Sequence, residues 1–194
     1  FLTVTFTSVP AFAVLGQPVP GEIGLQAAAS PMKEKLIFFH NDLLMPIITA
    51  ITIFVLLLLV YIAVRFNEKV NPVPSKTTHN TLLEVVWTLV PVLILVVIVI
   101  PSMKMLYYLD KTQEAEMTLK VTGNQWYWSY DYPDNGGISF VSNLVQDKDL
   151  KPGQPRLLAT DNPVVLPVDT NIKLLLTAAD VVHAWAVPAF GVKL

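Results

Sequence analysis

The sequence predicts a transmembrane helical hairpin followed by an all-β domain, and its hydrophobic pattern is the basis of that prediction. Residues 43–64 read LLMPIITAITIFVLLLLVYIAV and contain no charged side chain. Residues 82–103 contain one, Glu84, close to the start of the run. About 20 apolar residues in a helix cross the hydrocarbon core of a bilayer. Both runs are therefore predicted to span a membrane, with the sequence between them as the connection of a hairpin.

The second half of the chain has the pattern of short β-strands. From about residue 115 the apolar residues alternate, as in EMTLKVTG and NIKLLLTAAD. Further segments of this kind are separated by Pro, Gly, Asp and Asn: QWYWSYDYP, GISFVS, PRLLATD, PVVLPVD and VVHAWAVP. Many short strands with frequent turn residues are typical of a β-sandwich or barrel. Because these roughly 80 residues end on an apolar strand with no closing element, we expect a truncated domain.

The chain is predicted to have four regions. Residues 1–13 resemble the end of a secretory signal, since they are apolar and finish on Ala11-Phe12-Ala13, a small-x-small pattern; a surface-lying N-terminus is the alternative. An extramembrane lead follows over residues 14–42. The transmembrane hairpin is predicted over residues 43–104 and the extracytoplasmic β domain over residues 105–194.

The charge of the connection between the two helices predicts their orientation. It carries Arg65, Lys69 and Lys76 against Glu68, and Lys and Arg in short loops favour the cytoplasmic side. The signal-like start adds to this, because it would place the N-terminus outside. Residues 65–81 are therefore predicted in the cytoplasm, and both ends of the chain outside it.

Composition narrows the classes of partner and of metal site. The 194 residues are 14% charged and have a net charge of −2, whereas ordinary soluble domains are about 25% charged. From Met105 onward ten Asp or Glu stand against seven Lys or Arg, which gives −3. A nucleic-acid partner is therefore not expected. The chain has no cysteine, so it can form no disulfide and provide no thiolate metal ligand.

Four motifs resemble subunit II of the haem-copper cytochrome c oxidases. THNTLLEVVWTLVPVLIL is similar to the start of that family's second helix, and VTGNQWYWSYDYP to its aromatic strand. LKPGQPRLLATDNPVVLPV is similar to its middle strands. DVVHAWAVP is similar to the strand that bears the family's first copper-ligand histidine. The motifs follow in family order, and the resemblance extends from about Val14 to Leu194.

The resemblance implies a fold and a function. The fold is two transmembrane helices followed by a cupredoxin-like Greek-key β-sandwich, incomplete in this chain. The function is to take electrons from cytochrome c through a dinuclear copper centre (CuA) to haem in subunit I, coupled to oxygen reduction and proton pumping. The implied partners are subunit I with its haem and further copper, other oxidase subunits, cytochrome c and membrane lipid. The implied location is the bacterial inner membrane with a periplasmic β domain, or the mitochondrial inner membrane with that domain in the intermembrane space.

Two aromatic or imidazole side chains are candidates for the path of the electron. From the residues alone, His183 among apolar neighbours is more often a hydrogen-bonded core histidine, because one imidazole does not make a metal site. The resemblance implies that His183 is a copper ligand, while the other family ligands, two cysteines, a histidine, a methionine and a glutamate carbonyl, have no counterpart here. Trp126 could likewise be an ordinary strand residue. The resemblance implies that Trp126 receives the electron.

Carboxylates provide the remaining candidates. The resemblance implies that Asp131, Asp161 and Asp180 form an acidic patch that attracts basic cytochrome c, although each could also be a solvated or turn-capping residue. It also implies that Glu84 lies at the cytoplasmic mouth of a proton pathway into subunit I. Thr81 and Glu84 fit a capping box, with Thr81 as the N-cap, so a structural role for Glu84 is the alternative.

Two other functions remain open on the sequence alone. A copper-free quinol oxidase subunit II keeps the same sandwich, and the absence of cysteine suits it. A non-redox membrane-anchored scaffold is the third possibility. The copper-type histidine in HAWAVP and the aromatic QWYWSYDYP strand favour the cytochrome c oxidase interpretation, because quinol-type relatives lack both.

Overall fold

The computed structural model describes residues 15–110 and 114–194, and it contains a helical body and a β body. The predicted signal-like segment, residues 1–13, lies outside the described residues. The helical body spans Glu34–Asp110, and the β body combines residues 15–33 with residues 114–194. We describe each body separately.

The helical body contains the two predicted membrane helices. Helix α1 covers Pro31–Phe38, passes through one π-helical turn at Phe39–Leu44, and continues as α2 over Met45–Arg65. Helix α3 covers Thr81–Asp110, seven residues beyond the predicted end at residue 103. The helices are long and apolar enough to cross a membrane. Their apolar side chains are exposed along both spans, as expected for helices whose solvent is lipid or a partner subunit.

The start of the first span lies beside the end of the second, as in an antiparallel hairpin. The Nζ atom of Lys35 lies 3.3 Å from the centroid of the Tyr108 ring, a cation–π contact. Phe38, Leu43 and Met105 help to line the groove around this contact. Residues 66–80 form the connection at the other end of the hairpin.

The β body is built on one mixed four-stranded sheet. Its strands are β1 (Met117–Asn124), β2 (Tyr127–Tyr132), β3 (Ile138–Ser142) and β4 (Ile172–Ala178), in the order β3-β2-β1-β4. Strand β1 pairs antiparallel with β2 and parallel with β4, and β2 pairs antiparallel with β3. A second, two-stranded sheet consists of β5 (Ala186–Val187) and β6 (Val192–Lys193).

Alternation along β1 and β2 places the core on one face of the sheet. The side chains of Leu119 and Val121 are completely buried, and Tyr130 and Tyr132 lie beside them. Irregular chain packs over this face through Val164, Leu166 and Trp185. The sheet and this covering layer therefore form the two layers that a β domain needs to bury one face.

Three of the predicted strands differ in the structure. Residues 163–169 form no strand, and residues 155–161 contribute only a single bridge, between Thr160 and Leu144. In the VVHAWAVP segment only Ala186–Val187 is a strand. His183 was predicted on a strand but lies in the irregular connection between β4 and β5. The reason is that side-chain hydrogen bonds, described below, hold this connection in place of a backbone ladder.

The lead before α1 packs on the β body. The backbone N–H of Ala29 donates to the carbonyl of Ala189 at 2.8 Å, and the Ser30 hydroxyl donates to the carbonyl of Phe190 at 2.7 Å. Ser30 also caps α1, because its Oγ accepts the N–H of Lys33. The chain before the first span and the domain after the second therefore belong to one body.

Candidate functional site

Trp126 lies in the tight turn between β1 and β2. Neighbouring aromatic residues of β2, Trp128 and Tyr130, face the core and are wholly or partly buried. Trp126 instead is 87% exposed, which is unusual because tryptophan is highly buried on average. The structure therefore presents one rigid indole to solvent at the end of an otherwise packed aromatic strand.

His183 lies in the β4–β5 connection with only 16% of its side chain exposed. Its Nε2 atom is 2.6 Å from Oδ1 of Asp180, three residues earlier. Its ring meets Trp128 edge to face, with 5.8 Å between the ring centroids. The carboxylate fixes the orientation of the imidazole and leaves Nδ1 as the ring nitrogen available to a further partner.

Asp180 also holds the turn that carries Trp126. Its Oδ2 accepts the backbone N–H of Gln125 at 2.7 Å, while its Oδ1 accepts the N–H of Val181 at 2.6 Å. The hydrogen bond to His183 is the main reason that the pKa of Asp180 lies below its usual value. The family resemblance implied that Asp180 is a docking carboxylate. In the structure both of its oxygens accept hydrogen bonds within the site.

The far end of the connection is anchored by Trp185. Its indole N–H donates to the hydroxyl of Tyr130 at 3.2 Å, and its backbone pairs with Leu194. Burial raises the pKa of Tyr130 above its usual value. His183 is therefore held between two fixed points, Asp180 and Trp185.

Gly123 is a residue of this site that the sequence reasoning missed. A Cβ atom at this position would lie 2.7 Å from Cγ of His183 and 2.8 Å from its Cβ and Cδ2. The carbonyl of Gly123 accepts the N–H of Ala179 at 3.0 Å, which ties the start of the connection to β1. The signal was a glycine inside a strand pattern, which often marks a close approach to the backbone.

The two other docking carboxylates lie at different ends of β2. Asp161 binds the backbone and side-chain amides of Asn143 at 2.7 and 2.9 Å, and Asn143 directly follows Ser142, the partner of Trp128 in the sheet. Asp161 is therefore at the Trp126 end. The amide of Asn143 is the main cause of its lowered pKa. This arrangement matches the turn-capping alternative, and it leaves the carboxylate exposed.

Asp131 lies four residues beyond the start of β2 at Tyr127, about 13 Å along the strand. It is opposite Lys120 in the sheet, and their charged groups are 3.7 Å apart. The pair is largely exposed, so its contribution to stability is small. The structure thus brings Asp161 and Asp180 to the Trp126 end of the sheet and leaves Asp131 further away.

Glu84 lies in the first turn of α3, as predicted, but the predicted cap is wrong. Asn80 is the capping side chain, since its Oδ1 accepts the N–H of Leu83 at 3.2 Å. The helix begins at Thr81, so Thr81 occupies the first helical position and cannot act as the N-cap. The capping box therefore does not explain Glu84, which remains an acidic residue in the first turn, where negative charge favours a helix.

A metal centre requires several ligand side chains at one place. Within residues 15–110 and 114–194, no cluster of three or more His, Asp or Glu side chains has the geometry of a metal site. The imidazole of His183 is nevertheless suited to copper, with one nitrogen engaged by a carboxylate as is usual for a ligating histidine. It lines a groove of about 200 Å³ together with Trp128, Leu176 and Trp185. The structure thus holds the His183 imidazole in a fixed orientation beside this groove.

Two family models match the chain in the order of its two bodies. Residues 18–105 match the transmembrane domain of cytochrome c oxidase subunit II, and residues 117–194 match its periplasmic domain. The probable cytochrome c oxidase subunit 2 of Rickettsia bellii is 46% identical over 183 residues, which cover 94% of this chain and 68% of the relative. Its counterpart in Rickettsia felis is 44% identical over 98% of this chain and 60% of the relative.

A solved structure is also similar, the periplasmic domain of subunit II of the cytochrome oxidase of Bradyrhizobium japonicum. It is 54% identical, with a TM-score of 0.39, over 43% of this chain and 56% of that chain. The chain therefore spans between 56% and 68% of these three relatives.

The two family models and the curated relatives confirm the predicted family, the predicted fold class of two membrane helices followed by a β domain, and the predicted integral membrane location. Relatives of this kind are named as subunits of an oxidoreductase. The matched domains cover nearly the whole of the described chain, in family order and at high identity, and the chain belongs to the cytochrome c oxidase subunit II family.

Proposed function

We propose that this chain accepts electrons from a cytochrome c at Trp126 and directs them toward haem in subunit I of a terminal oxidase. One observation carries the proposal. The 87% exposed indole of Trp126 sits on a turn that Asp180 joins by hydrogen bonds to the mostly buried imidazole of His183. A surface contact for a redox partner and a copper-type ligand are therefore parts of one hydrogen-bonded unit.

His183 would supply one ligand of a dinuclear copper centre in the complete protein. When bound, such a centre supplies a redox site that can take up and release an electron. The contribution of this chain is the position of the imidazole. Asp180 holds Nε2, so Nδ1 is the nitrogen available to the metal. A carboxylate on the second nitrogen fixes the tautomer of a histidine ligand and increases its basicity.

Negative charge near Trp126 would favour a basic partner such as cytochrome c. The segment after Met105 carries a net charge of −3, and Asp161 and Asp180 lie at the Trp126 end of the sheet. Complementary charge raises the rate of encounter more than it raises affinity, and the effect falls with added salt. Asp131 would contribute less, because Lys120 partly neutralises it.

Glu84 would serve the complete oxidase in a different way, at the mouth of a proton pathway into subunit I. It is an ionisable residue in the first turn of a membrane-spanning helix, and such residues are functional candidates by default. Asn80 caps the helix, so the capping box does not account for Glu84. Oxygen reduction and proton pumping would take place in subunit I, which holds haem and further copper.

The test is single-turnover electron transfer from reduced cytochrome c to the complete oxidase. Trp126→Ala should slow transfer by roughly tenfold or more, equivalent to about 1.4 kcal/mol or more in the barrier, because the aromatic contact surface is lost. The rate of electron transfer in Trp126→Phe should lie between the rates of Trp126→Ala and the native protein. Copper content should stay normal in both variants. Val168→Ala removes another highly exposed apolar side chain and is the matched control. Unchanged transfer in Trp126→Ala would contradict the proposal.

A further inference from the structure

The Asp180 carboxylate links the Trp126 turn to His183. Asp180 Oδ2 accepts the N–H of Gln125 at 2.7 Å, and Oδ1 lies 2.6 Å from Nε2 of His183. These partners are on different segments, the β1–β2 turn and the β4–β5 connection. Because both oxygens are used, the carboxylate cannot turn toward a docking partner without releasing the turn, the imidazole or both.

Gly123 provides the space that this link needs. Its φ is not in the left-handed region, so its backbone conformation does not itself require glycine. Glycine inside a strand is unfavourable, and a packing reason is therefore needed at this position of β1. The reason is the imidazole, which lies against the Gly123 backbone where a methyl group would be 2.7 Å from Cγ.

Trp128 completes the enclosure of the ring. It is opposite Gly123 in the β1–β2 register and meets His183 edge to face. Ala178 is the neighbour of Gly123 on the β4 side. The imidazole therefore rests on the sheet where β1, β2 and β4 meet, and Asp180 holds its outer nitrogen.

We propose that Asp180 and Gly123 are positioning residues that hold the Trp126 turn and the His183 imidazole in one fixed arrangement. Asp180 does so by accepting hydrogen bonds from the Gln125 amide and the His183 ring, and Gly123 does so by leaving room for that ring. The importance of this arrangement for electron transfer rests on the function proposed above. The existence of the arrangement is independent of that function, because the arrangement can be measured in the chain without any metal or redox partner. Asp180 is then a positioning residue and not chiefly a docking charge, which separates it from Asp161.

The experiment measures amide hydrogen exchange and histidine ring protons by NMR on the full chain in detergent micelles. The chain has three histidines, so ¹⁵N-histidine labelling gives a small set of ring signals that His183→Gln assigns. In the native chain we expect a protected Nε2–H signal for His183 and slow exchange at the Gln125 amide. In Asp180→Ala we expect the ring signal to disappear and Gln125 to exchange at least roughly tenfold faster.

Gly123→Ala should produce the same two changes, because the displaced ring can no longer reach the carboxylate. Gly24→Ala is the matched control, since Gly24 has open space around it and no left-handed φ. Asp149→Asn, an exposed carboxylate in a 3₁₀ turn, is the charge control. Both controls should show the His183 ring signal and the slow Gln125 exchange of the native chain. The amides of Val121 and Tyr130 report whether each variant keeps its sheet, and if Gly123→Ala does not fold, Asp180→Ala and Asp180→Asn decide the test.

Two outcomes would overturn the proposal. Slow exchange at Gln125 and an unchanged ring signal in a folded Asp180→Ala chain would refute the link itself, with no consequence for electron transfer at Trp126. If Asp180→Ala speeds exchange at the Gln125 amide but leaves the rate of electron transfer in the complete oxidase normal, the positioning role in the reaction is refuted. Loss of transfer in Trp126→Ala with native exchange in the same variant would support both proposals independently.

Discussion

The helical body and the β body use apolar residues in opposite ways. Along α2, Leu57 is 62% exposed and its apolar neighbours are similarly uncovered, whereas Leu119 and Val121 in β1 are completely buried. The helices need no partner within this chain, because lipid or another subunit is their solvent and their backbone hydrogen bonds are internal. The β body has to cover its sheet with its own residues. The roles proposed for the two bodies follow the same division. The role proposed for Glu84 depends on its position along one helix, while that proposed for His183 depends on contacts among several segments.

The largest expected effect is in the β body, at its candidate metal ligand. In the complete oxidase, His183→Ala should abolish or severely reduce copper binding, because a directional nitrogen ligand is removed and no neighbour can replace it. The β domain should still fold, since its core lies at Leu119, Val121 and Tyr130. Metal analysis and optical absorption of the purified complex measure this. His79→Ala, in the connection before α3, is the control. Normal copper absorption in the His183 variant would refute the ligand assignment.

Substitution of one leucine in each body should change the free energy of unfolding of the β body by different amounts. Leu119→Ala should lower the free energy of unfolding of the β body by about 2–5 kcal/mol, because it leaves a cavity in a packed core. Leu57→Ala on α2 should leave unfolding of the β body unchanged, because this side chain is exposed and belongs to the helical body. Urea titration followed by the fluorescence of the β-body tryptophans reports the difference. Equal effects of the two substitutions would contradict the separation.

Glu84→Gln should affect turnover and leave electron acceptance intact. The charge lost is at the start of α3, and the cap at Asn80 remains, so the helix should be preserved. We expect turnover to slow by roughly twofold to tenfold, equivalent to about 0.4–1.4 kcal/mol, with normal reduction of copper by cytochrome c. Steady-state oxygen consumption and proton uptake measure this. Glu68→Gln in the connection is the control, and equal turnover in both variants would remove Glu84 from the proton path.

The smallest expected effect is the pH dependence due to Asp161. The amide of Asn143 lowers its pKa in the folded state below the unfolded value of 3.8, so Asp161 stabilises the fold above that pH. This contribution is lost as the pH falls through the folded pKa. Asp161→Asn should therefore destabilise the β body at pH 7 and make its stability fall less steeply below pH 4. Thermal unfolding between pH 7 and pH 3 tests this, with Asp149→Asn as the control. An unchanged slope would contradict it.

Parts of the candidate site were predictable one residue at a time. Trp126 and His183 were identified from motifs, and the structure places Trp126 at an exposed turn and His183 beside a carboxylate. Asp180 was identified for its charge, but its hydrogen bonds to Gln125 and His183 could not be predicted. These segments are 55 residues apart in sequence at Gln125 and Asp180. No local pattern specifies a contact between side chains so far apart, because only the folded sheet brings them together.

The sequence by itself determined the two membrane spans, the strands β1 to β4 and the order of the two bodies. Hydrophobic length and alternation decide these features, since each depends on neighbours within one segment. The cap of α3 is also a local feature, since Asn80 accepts the N–H of Leu83 three residues later. Tertiary structure alone decided that Asp180 joins the Trp126 turn to His183 and that Gly123 must be small, because each depends on which side chain reaches a distant segment in space. Spacing along the chain does not contain that information, because distant segments meet only after the sheet forms.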